Sequence, residues 1–345
     1  MRSIDIKAST KKYKVNFYDR INDLIKSFED ENLLYLIDEN VYNINKTYFE
    51  DKLKYIVPVT EYSKTLDFAS EVFDYLIDNN FKTDAHIVVV GGGILQDLGG
   101  FIASTFCRGI KYTLVPTTLL AQCDSCIGGK TSINHNSRKN ILGTFYPPNE
   151  IKITTDFLFT LKKEDLLSGY GELIKFYLLN NEIEHFDSNF ANIEKRIAYG
   201  LKYKSKIIQI DEFDLKERKL LNFGHTFGHA LESTSNYKIP HGSAIIMGML
   251  IANELSFKLG RLNEEKRDYI QNRLLIYIKH IKVEDSWFYF DTLLSLVKSD
   301  KKNTGDNINM ILIDTDNEYN VVSIEDIDLL ETCVKSIHEI IRLHN

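Results

Sequence analysis

Through its first half the chain alternates short apolar runs with amphipathic stretches. Residues 33–37 are apolar and end in Asp38, Glu39 and Asn40, which predicts a buried strand running into a turn. Residues 55–59 predict a second strand. Between 65 and 79, Leu66, Ala69, Val72, Phe73, Leu76 and Ile77 recur at helical spacing. The β-branched run at 86–90 stops at Gly91, Gly92 and Gly93, and 112–115 predicts a further strand closed by Pro116. At the N-terminus, polar and apolar residues alternate over 1–15. Strand–helix alternation of this kind predicts a parallel sheet with helices on its faces.

The pattern changes after about residue 161. Between Lys163 and Lys298 long amphipathic stretches dominate, and Pro240 is the only proline. This half reads as helical, with a short extended piece near 309–313 and a last helix from about 324 to 343. No internal repeat and no low-complexity linker is visible. The expected organisation is an α/β domain over 1–160 and a mostly helical domain over 161–345.

Composition narrows the class of protein. Of 345 residues, 43% are hydrophobic and 26% charged, as in ordinary globular chains. A net charge of −7 without a charged tail argues against nucleic acid or an anionic membrane as partner. A small anionic substrate remains compatible, because a basic pocket can sit in an acidic protein. The longest greasy stretch, 244–255, is interrupted by Asn253 and Glu254 and reads as a buried helix rather than a bilayer span. The first fifteen residues hold no apolar run of signal-peptide length. Four cysteines do not make a disulfide framework in a chain this long. The expectation is a soluble cytoplasmic protein.

Three places carry candidate chemistry. The first is the strand at 86–90, which runs through three glycines towards Asp97 and Gly100. Bare backbone amides at a helix N-terminus can receive a diphosphate, although a tight strand–helix turn would look the same. The second is Glu172 with Lys175, on one helix face and by itself readable as a surface ion pair. The third is the stretch 218–229. On one continuous helix, Arg218, Asn222, His225 and His229 would share a stripe about 60° wide, beside Gly224 and Gly228. His241 follows sixteen residues after His225. A carboxylate and two imidazoles, Glu172, His225 and His241, form a candidate divalent-cation site with a position open for substrate. Lysines and small polar residues also gather at 117–131 and at Lys139–Asn140. The run around Lys298, Lys301 and Lys302 reads by itself as a solvated face. Cys123 and Cys126 form a CxxC with no second pair, and the spacing is taken as coincidental.

These motifs, in the order GGGxxxDxxG, RGI, PTTLLAQxDSxIGGKTxxN, KNxxGTFYPP, GExIK, RxLLNFGHTFGHALE, HGxA and DKK, resemble the 3-dehydroquinate synthase family of sugar-phosphate cyclases over about residues 38–313. The resemblance implies a Rossmann-like NAD-binding α/β domain and a mostly helical metal-binding domain, in a homodimer. It implies one divalent metal, zinc or cobalt, on Glu172, His225 and His241. Asp38, Glu61 and Lys64 would hold the adenosine end of NAD, and Gly92, Gly93 and Asp97 its diphosphate and nearby groups. Thr117, Thr118, Lys130, Lys139 and Thr160 would line the cofactor groove. Asp124, Lys130, Asn140, Lys175, Lys204, Arg218, Asn222, His229 and a lysine of the Lys301–Lys302 pair match substrate-binding or catalytic positions. Arg108 would reach the substrate phosphate of a neighbouring subunit.

The implied reaction converts 3-deoxy-D-arabino-heptulosonate 7-phosphate to 3-dehydroquinate and phosphate, in the shikimate route to aromatic amino acids. It proceeds by transient oxidation with NAD, β-elimination, re-reduction and aldol closure. Gly171 stands where the family usually has Ala, and the acidic run from Asp211 to Asp214 has Asp where a Glu is usual. Gln96 and Cys126 are similar to a divergent branch. Retained Arg218, Asn222, His229 and Lys204 favour the dehydroquinate reaction. A related sugar-phosphate cyclase of a secondary or surface-polysaccharide pathway is the alternative, and an NAD- and metal-dependent polyol dehydrogenase the second alternative.

Overall fold

A computed structural model describes residues 2–28, 32–136, 138–187, 189–299 and 308–344. Lys301 and Lys302 lie outside the described residues.

The chain opens with a hairpin, β1 (Arg2–Lys7) and β2 (Lys12–Phe17), which uses the alternating N-terminal pattern. Then follow α1 (Ile21–Lys26), β3 (Leu33–Asp38), α2 (Glu39–Ile44), β4 (Lys54–Val57), α3 (Leu66–Asp78), β5 (His86–Gly91), α4 (Gly93–Thr105) and β6 (Lys111–Pro116). A second hairpin, β7 (Lys130–His135) and β8 (Arg138–Phe145), precedes β9 (Glu150–Ile153). The rest is mainly helical: α5 (Lys163–Leu179), α6 (Ile193–Ile210), α7 (His225–Thr234), α8 (His241–Lys258), α9 (Glu264–Leu275), α10 (Phe290–Ser299) and α11 (Ile327–His344). Strand β10 (Ile308–Ile313) fills the expected extended piece and pairs with β11 (Tyr319–Ile324), so the last helix starts later than its pattern indicates.

Seven strands form one sheet in the order β1-β2-β9-β6-β5-β3-β4, parallel except for the β1–β2 edge pair. Every residue of β5 is buried, because helices cover both faces of a parallel sheet and exclude polar side chains there. Tyr35, Ile37, Val88, Val90 and Val115 pack with Ile21, Leu24, Phe49 and Phe157 on one side. Among the described residues, no helix is long and apolar enough to cross a membrane.

The chain divides into two compact units. One comprises Met1–Lys162 and Asn189–Phe213, the other Lys163–Ser188 and Asp214–Asn345. A single cut near residue 160 therefore misplaces α6, which packs on β1 and on the turn at Ala121–Ser125. The reason is its apolar face, where Ile193, Ile197, Leu201 and Ile208 are buried.

Glu212, just past α6, ties down the β1–β2 turn. It accepts from Ser9 Oγ at 2.5 Å, from Thr10 N at 2.9 Å and from Thr10 Oγ1. Burial alone would raise the Glu212 pKa, but these donors outweigh it and leave it lowered. A depressed carboxyl pKa stabilises the fold above its unfolded value, and the contribution is lost as pH falls through the folded value. Glu212→Gln is expected to cost about 1–3 kcal/mol at pH 7 and progressively less as pH falls through the depressed folded value. Urea midpoints of both proteins, followed from pH 7 into the acid range, check this. A difference that stays constant over the whole range would mean that the charge contributes nothing.

Candidate active site

In the first unit, the sheet order itself makes a crevice. β3 and β5 are parallel neighbours, but β3 leads to β4 on one side and β5 leads to β6 on the other. The space beyond the carboxyl ends of such strands is where open α/β sheets bind ligands. Asp38 ends β3 and Gly91 ends β5. Helix α4 begins at Gly93 after Gly92, which is extended and provides no side-chain cap. A Cβ on Gly92 would come within 3.0 Å of Thr118 Cγ2. The first-turn amides thus meet a bare backbone approach suited to an anion.

A polar network gathers residues from four segments of this unit. Buried Lys64 donates to Asp97 Oδ2 and Asn140 Oδ1, each at 2.5 Å. Ser132 Oγ lies 3.1 Å from Asp97 Oδ2 and 2.9 Å from Asn140 Oδ1. Burial raises the Asp97 pKa, against the opposing pull of Lys64. Asn134 Nδ2 donates to Glu61 Oε1 at 2.9 Å, while its Oδ1 accepts from Asn140 N at 3.0 Å. That bond holds Asn140 at φ +54°. Lys139 Nζ is 3.5 Å from Glu61. Glu61, Lys64, Asp97, Lys139 and Asn140 are therefore one cluster. Ser132 and Asn134 join it unforeseen, although both are polar and stand two apart on β7, on the same side of the strand.

The other residues singled out in this unit make the following contacts. Asp38 accepts from Asn40 N at 2.8 Å, and burial raises its pKa despite that bond. Lys204 Nζ is 2.8 Å from Asp124 Oδ1. Thr117 is buried, and Thr118 Oγ1 accepts from Ala121 N at 3.2 Å. Thr160 is exposed and donates to Phe157 O at 3.1 Å. Lys130, at the start of β7, is exposed. Arg108 projects from a turn in which Cys107, Arg108 and Gly109 have φ of +50°, +66° and +121°. Cys123 and Cys126 are both buried thiols with no disulfide.

The second unit holds the histidines. Glu172 and Lys175 on α5 form a buried ion pair, not a surface one, with each side chain 1–2% exposed. His225 Nε2 is 3.5 Å and His241 Nε2 is 3.2 Å from the same oxygen, Glu172 Oε1. Ligand atoms of these three residues all lie within 4.8 Å of one another. Two ligands about 2.0–2.1 Å from a tetrahedral ion stand about 3.3 Å apart, so the donor set fits zinc-like coordination. His225 Nδ1 is 3.1 Å from Phe223 O. A carbonyl only accepts, so the ring proton sits on Nδ1 and the Nε2 lone pair stays available. Burial would lower the His241 pKa, but hydrogen bonds to Glu172 and Glu232 push it up to about 10.

Backbone contact between helices brings these ligands together. Each ligand has a glycine beside it in the chain: Gly171, Gly224 and Gly242. A Cβ on Gly171 would lie 2.2 Å from Gly242 O, and one on Gly242 would lie 1.8 Å from Ser168 O. A Cβ on Gly224 would meet Ile245 O at 2.6 Å, and one on Gly248 would meet Gly224 O at 1.9 Å. Helices α5 and α7 thus touch α8 main chain to main chain.

The continuous stripe from Arg218 to His229 is corrected by the structure. Residues Glu217–Asn222 form a 3-10 turn, and Gly224 takes φ +79° before α7 begins at His225. A left-handed residue cannot continue a helix, so Arg218 and Asn222 lie on a different element from the histidines. Arg218 is buried there, and Asn222 Nδ2 donates to Lys219 O at 3.1 Å. His229 stays on the α7 face, its ring 5.1 Å from that of His225 and 5.9 Å from that of His241. Glu232 was missed, although it follows His225 and His229 at i, i+4 and i+7 on one helix face.

Residues 54–168 match the family described as 3-dehydroquinate synthase N-terminal, and 169–303 match 3-dehydroquinate synthase C-terminal. A 3-dehydroquinate synthase of Clostridium tetani (strain Massachusetts / E88) is 36% identical over 339 residues, covering 91% of this chain and 89% of its own length. Two solved structures share the fold. One is 2-deoxy-scyllo-inosose synthase complexed with carbaglucose-6-phosphate, NAD+ and Co2+, at TM-score 0.85 and 22% identity over 97% of this chain and 99% of its own. The other is the 2-epi-5-epi-valiolone synthase ValA of Streptomyces hygroscopicus subsp. jinggangensis 5008 with NAD+ and Zn2+. It matches at TM-score 0.80 and 22% identity, over 95% and 97% of the two chains.

Proposed function

Because the chain belongs to the 3-dehydroquinate synthase family of sugar-phosphate cyclases, we propose that it is an NAD- and divalent-metal-dependent cyclase of a sugar phosphate. The observation that carries this reading is the Glu172, His225 and His241 donor set, with both Nε2 atoms turned to one carboxylate oxygen. When bound, NAD supplies a reversible hydride acceptor and the cation a Lewis acid that polarises a substrate oxygen.

The protein's own groups then bind, orient and balance charge. Glu172, His225 and His241 hold the cation, zinc or cobalt, and Lys175 neutralises the outer oxygen of Glu172. The amides at Gly92 and Gly93 take the diphosphate of the cofactor. Asp38, Glu61 and Lys64 take its adenosine end, with Asp97, Thr117, Thr118, Lys139 and Thr160 along the same groove. Lys130, Lys204, Asp124, Asn140, Asn222 and His229 serve the sugar phosphate. Arg108, held outward by three successive positive φ values, serves a neighbouring copy in a homodimer. At the two non-glycine positions, Cys107 and Arg108, such backbone costs about 1–3 kcal/mol per residue, and strain of this kind clusters at functional sites.

The substrate proposed is 3-deoxy-D-arabino-heptulosonate 7-phosphate, supported by curated relatives above 30% identity along most of the chain and by the buried cation Arg218. A related cyclase acting on an uncarboxylated sugar phosphate is favoured instead by Gly171, Gln96, Cys126 and the acidic run from Asp211 to Asp214. The test incubates wild type and Arg218→Ala with the heptulosonate and with a hexose 6-phosphate, measuring phosphate and carbocycle. Arg218→Ala is expected to lower kcat/KM for the heptulosonate about 30- to several-thousand-fold, since an unpaired buried anion costs about 2–5 kcal/mol. Wild-type turnover of the hexose alone would reject the carboxylated substrate. Stoichiometric NADH release would reject the cyclase reading and point to a polyol dehydrogenase.

A further inference from the structure

His241, the first residue of α8, sits between two carboxylates. Its Nε2 is 3.2 Å from Glu172 Oε1 and its Nδ1 is 3.1 Å from Glu232 Oε2. Without a cation both nitrogens can carry protons, one for each carboxylate, whereas a ring that binds a cation through Nε2 keeps a single proton, on Nδ1. If the proton goes to Glu232, the Nε2 lone pair faces Glu172 and His225. His225 reaches the same state through a different acceptor, the main-chain carbonyl of Phe223. A carboxylate is the stronger acceptor, since a charged partner roughly doubles the strength of a hydrogen bond. It also raises the basicity of the ring as a ligand. Glu232 lies on the same α7 face as His225, so one helix supplies a ligand and the acceptor that orients another.

Resting on the reading of Glu172, His225 and His241 as a cation site, we infer that Glu232 is the positioning residue of that site: it holds His241 with Nε2 directed to the cation and thereby sets cation affinity. Glu232 does not touch the cation itself. The competing arrangement is specific. His229, Glu232 and His241 also place ligand atoms within 4.8 Å of one another, which would make Glu232 a ligand of a second ion.

The two are separated by titrating chelator-stripped wild type, Glu232→Gln and Glu232→Ala with Co2+, followed by its d–d absorption, and with Zn2+ against a chromogenic chelator. Melting of the metal-free proteins monitors the fold. Wild type should bind one equivalent. Glu232→Gln, whose carboxamide oxygen still accepts from Nδ1, should bind more weakly, and Glu232→Ala about 10- to 100-fold more weakly than wild type. Both variants should keep one equivalent, with metal-free melting near that of wild type for the isosteric Gln. Unchanged affinity and spectrum in both variants would overturn the positioning role. Two equivalents in wild type falling to one in Glu232→Ala would overturn it in favour of a ligand role. A wild type that binds no cation would defeat the cation site itself, a failure visible before any variant is compared.

Discussion

His225→Ala is expected to remove the bound cation and to lower turnover by about a thousand-fold or more, while the protein still folds. A Lewis acid at a developing oxyanion contributes several kcal/mol, and about 1.4 kcal/mol is worth a decade in rate. Two of the three ligands cannot hold the ion at working concentration. Folding survives because Glu172, the buried charge at the centre of the site, keeps its partner Lys175. Glu172→Gln should behave differently. It removes the carboxylate charge opposite the Lys175 ammonium, which is 2% exposed, and breaking a buried pair from one side costs about 3–5 kcal/mol. Metal content after dialysis, turnover and melting temperature distinguish the two variants. Full cation occupancy with normal turnover in well-folded His225→Ala would end the assignment of this residue as a ligand.

The second large effect is expected at a residue that is not itself a ligand. Gly248→Ala places a methyl 1.9 Å from Gly224 O and 2.8 Å from Gly228 N. These are main-chain atoms of α7 and of the residue that precedes it, so no rotamer change relieves the clash and the helices must part. Overpacking a close-packed interior costs about 1–3 kcal/mol, occasionally more, and a rigid backbone contact belongs at the upper end. Parting α7 from α8 also moves His225 away from His241, so cation affinity should fall with stability. Gly260→Ala is the control. Gly260 has φ +70° but nothing within 4 Å of a Cβ, so it should lose only about 1–2 kcal/mol of left-handed preference and keep the cation. Equal melting temperatures for Gly248→Ala and wild type would show that the contact yields cheaply.

The central strands were legible because burial on both faces turns them into unbroken apolar runs, as at 86–90. Strand β8 was not, since it is exposed along most of its length and carries no such run. Strand β9 has only four residues and includes Glu150 and Lys152. The grouping of Glu172, His225 and His241 was legible from residue types alone, because few chemistries need a carboxylate and two histidines. Its surroundings were not. Whether Phe223–Gly224 continues a helix depends on a positive φ that glycine permits but does not compel. Packing against α8 decides it. The burial of the Glu172–Lys175 pair likewise follows from α8 lying across α5, and spacing within one helix cannot reveal a neighbour.

The first compact unit is completed by a segment that the ribosome delivers late. Its sheet is fully synthesised by Ile153, but the helix that covers β1 and the 121–125 turn ends at Ile210. At elongation rates of about 5–20 residues per second, the sheet waits roughly 3–11 s with that surface open. Closing the excursion costs little entropy, because the penalty grows only with the logarithm of loop length. The exposure is kinetic: nascent chains stalled between about 160 and 190 should be bound by chaperones that retain apolar surface, and chains extended past Phe213 should be released. A fragment expressed for binding studies meets the same constraint, so one ending at residue 160 should aggregate unless the 189–213 segment is supplied with it.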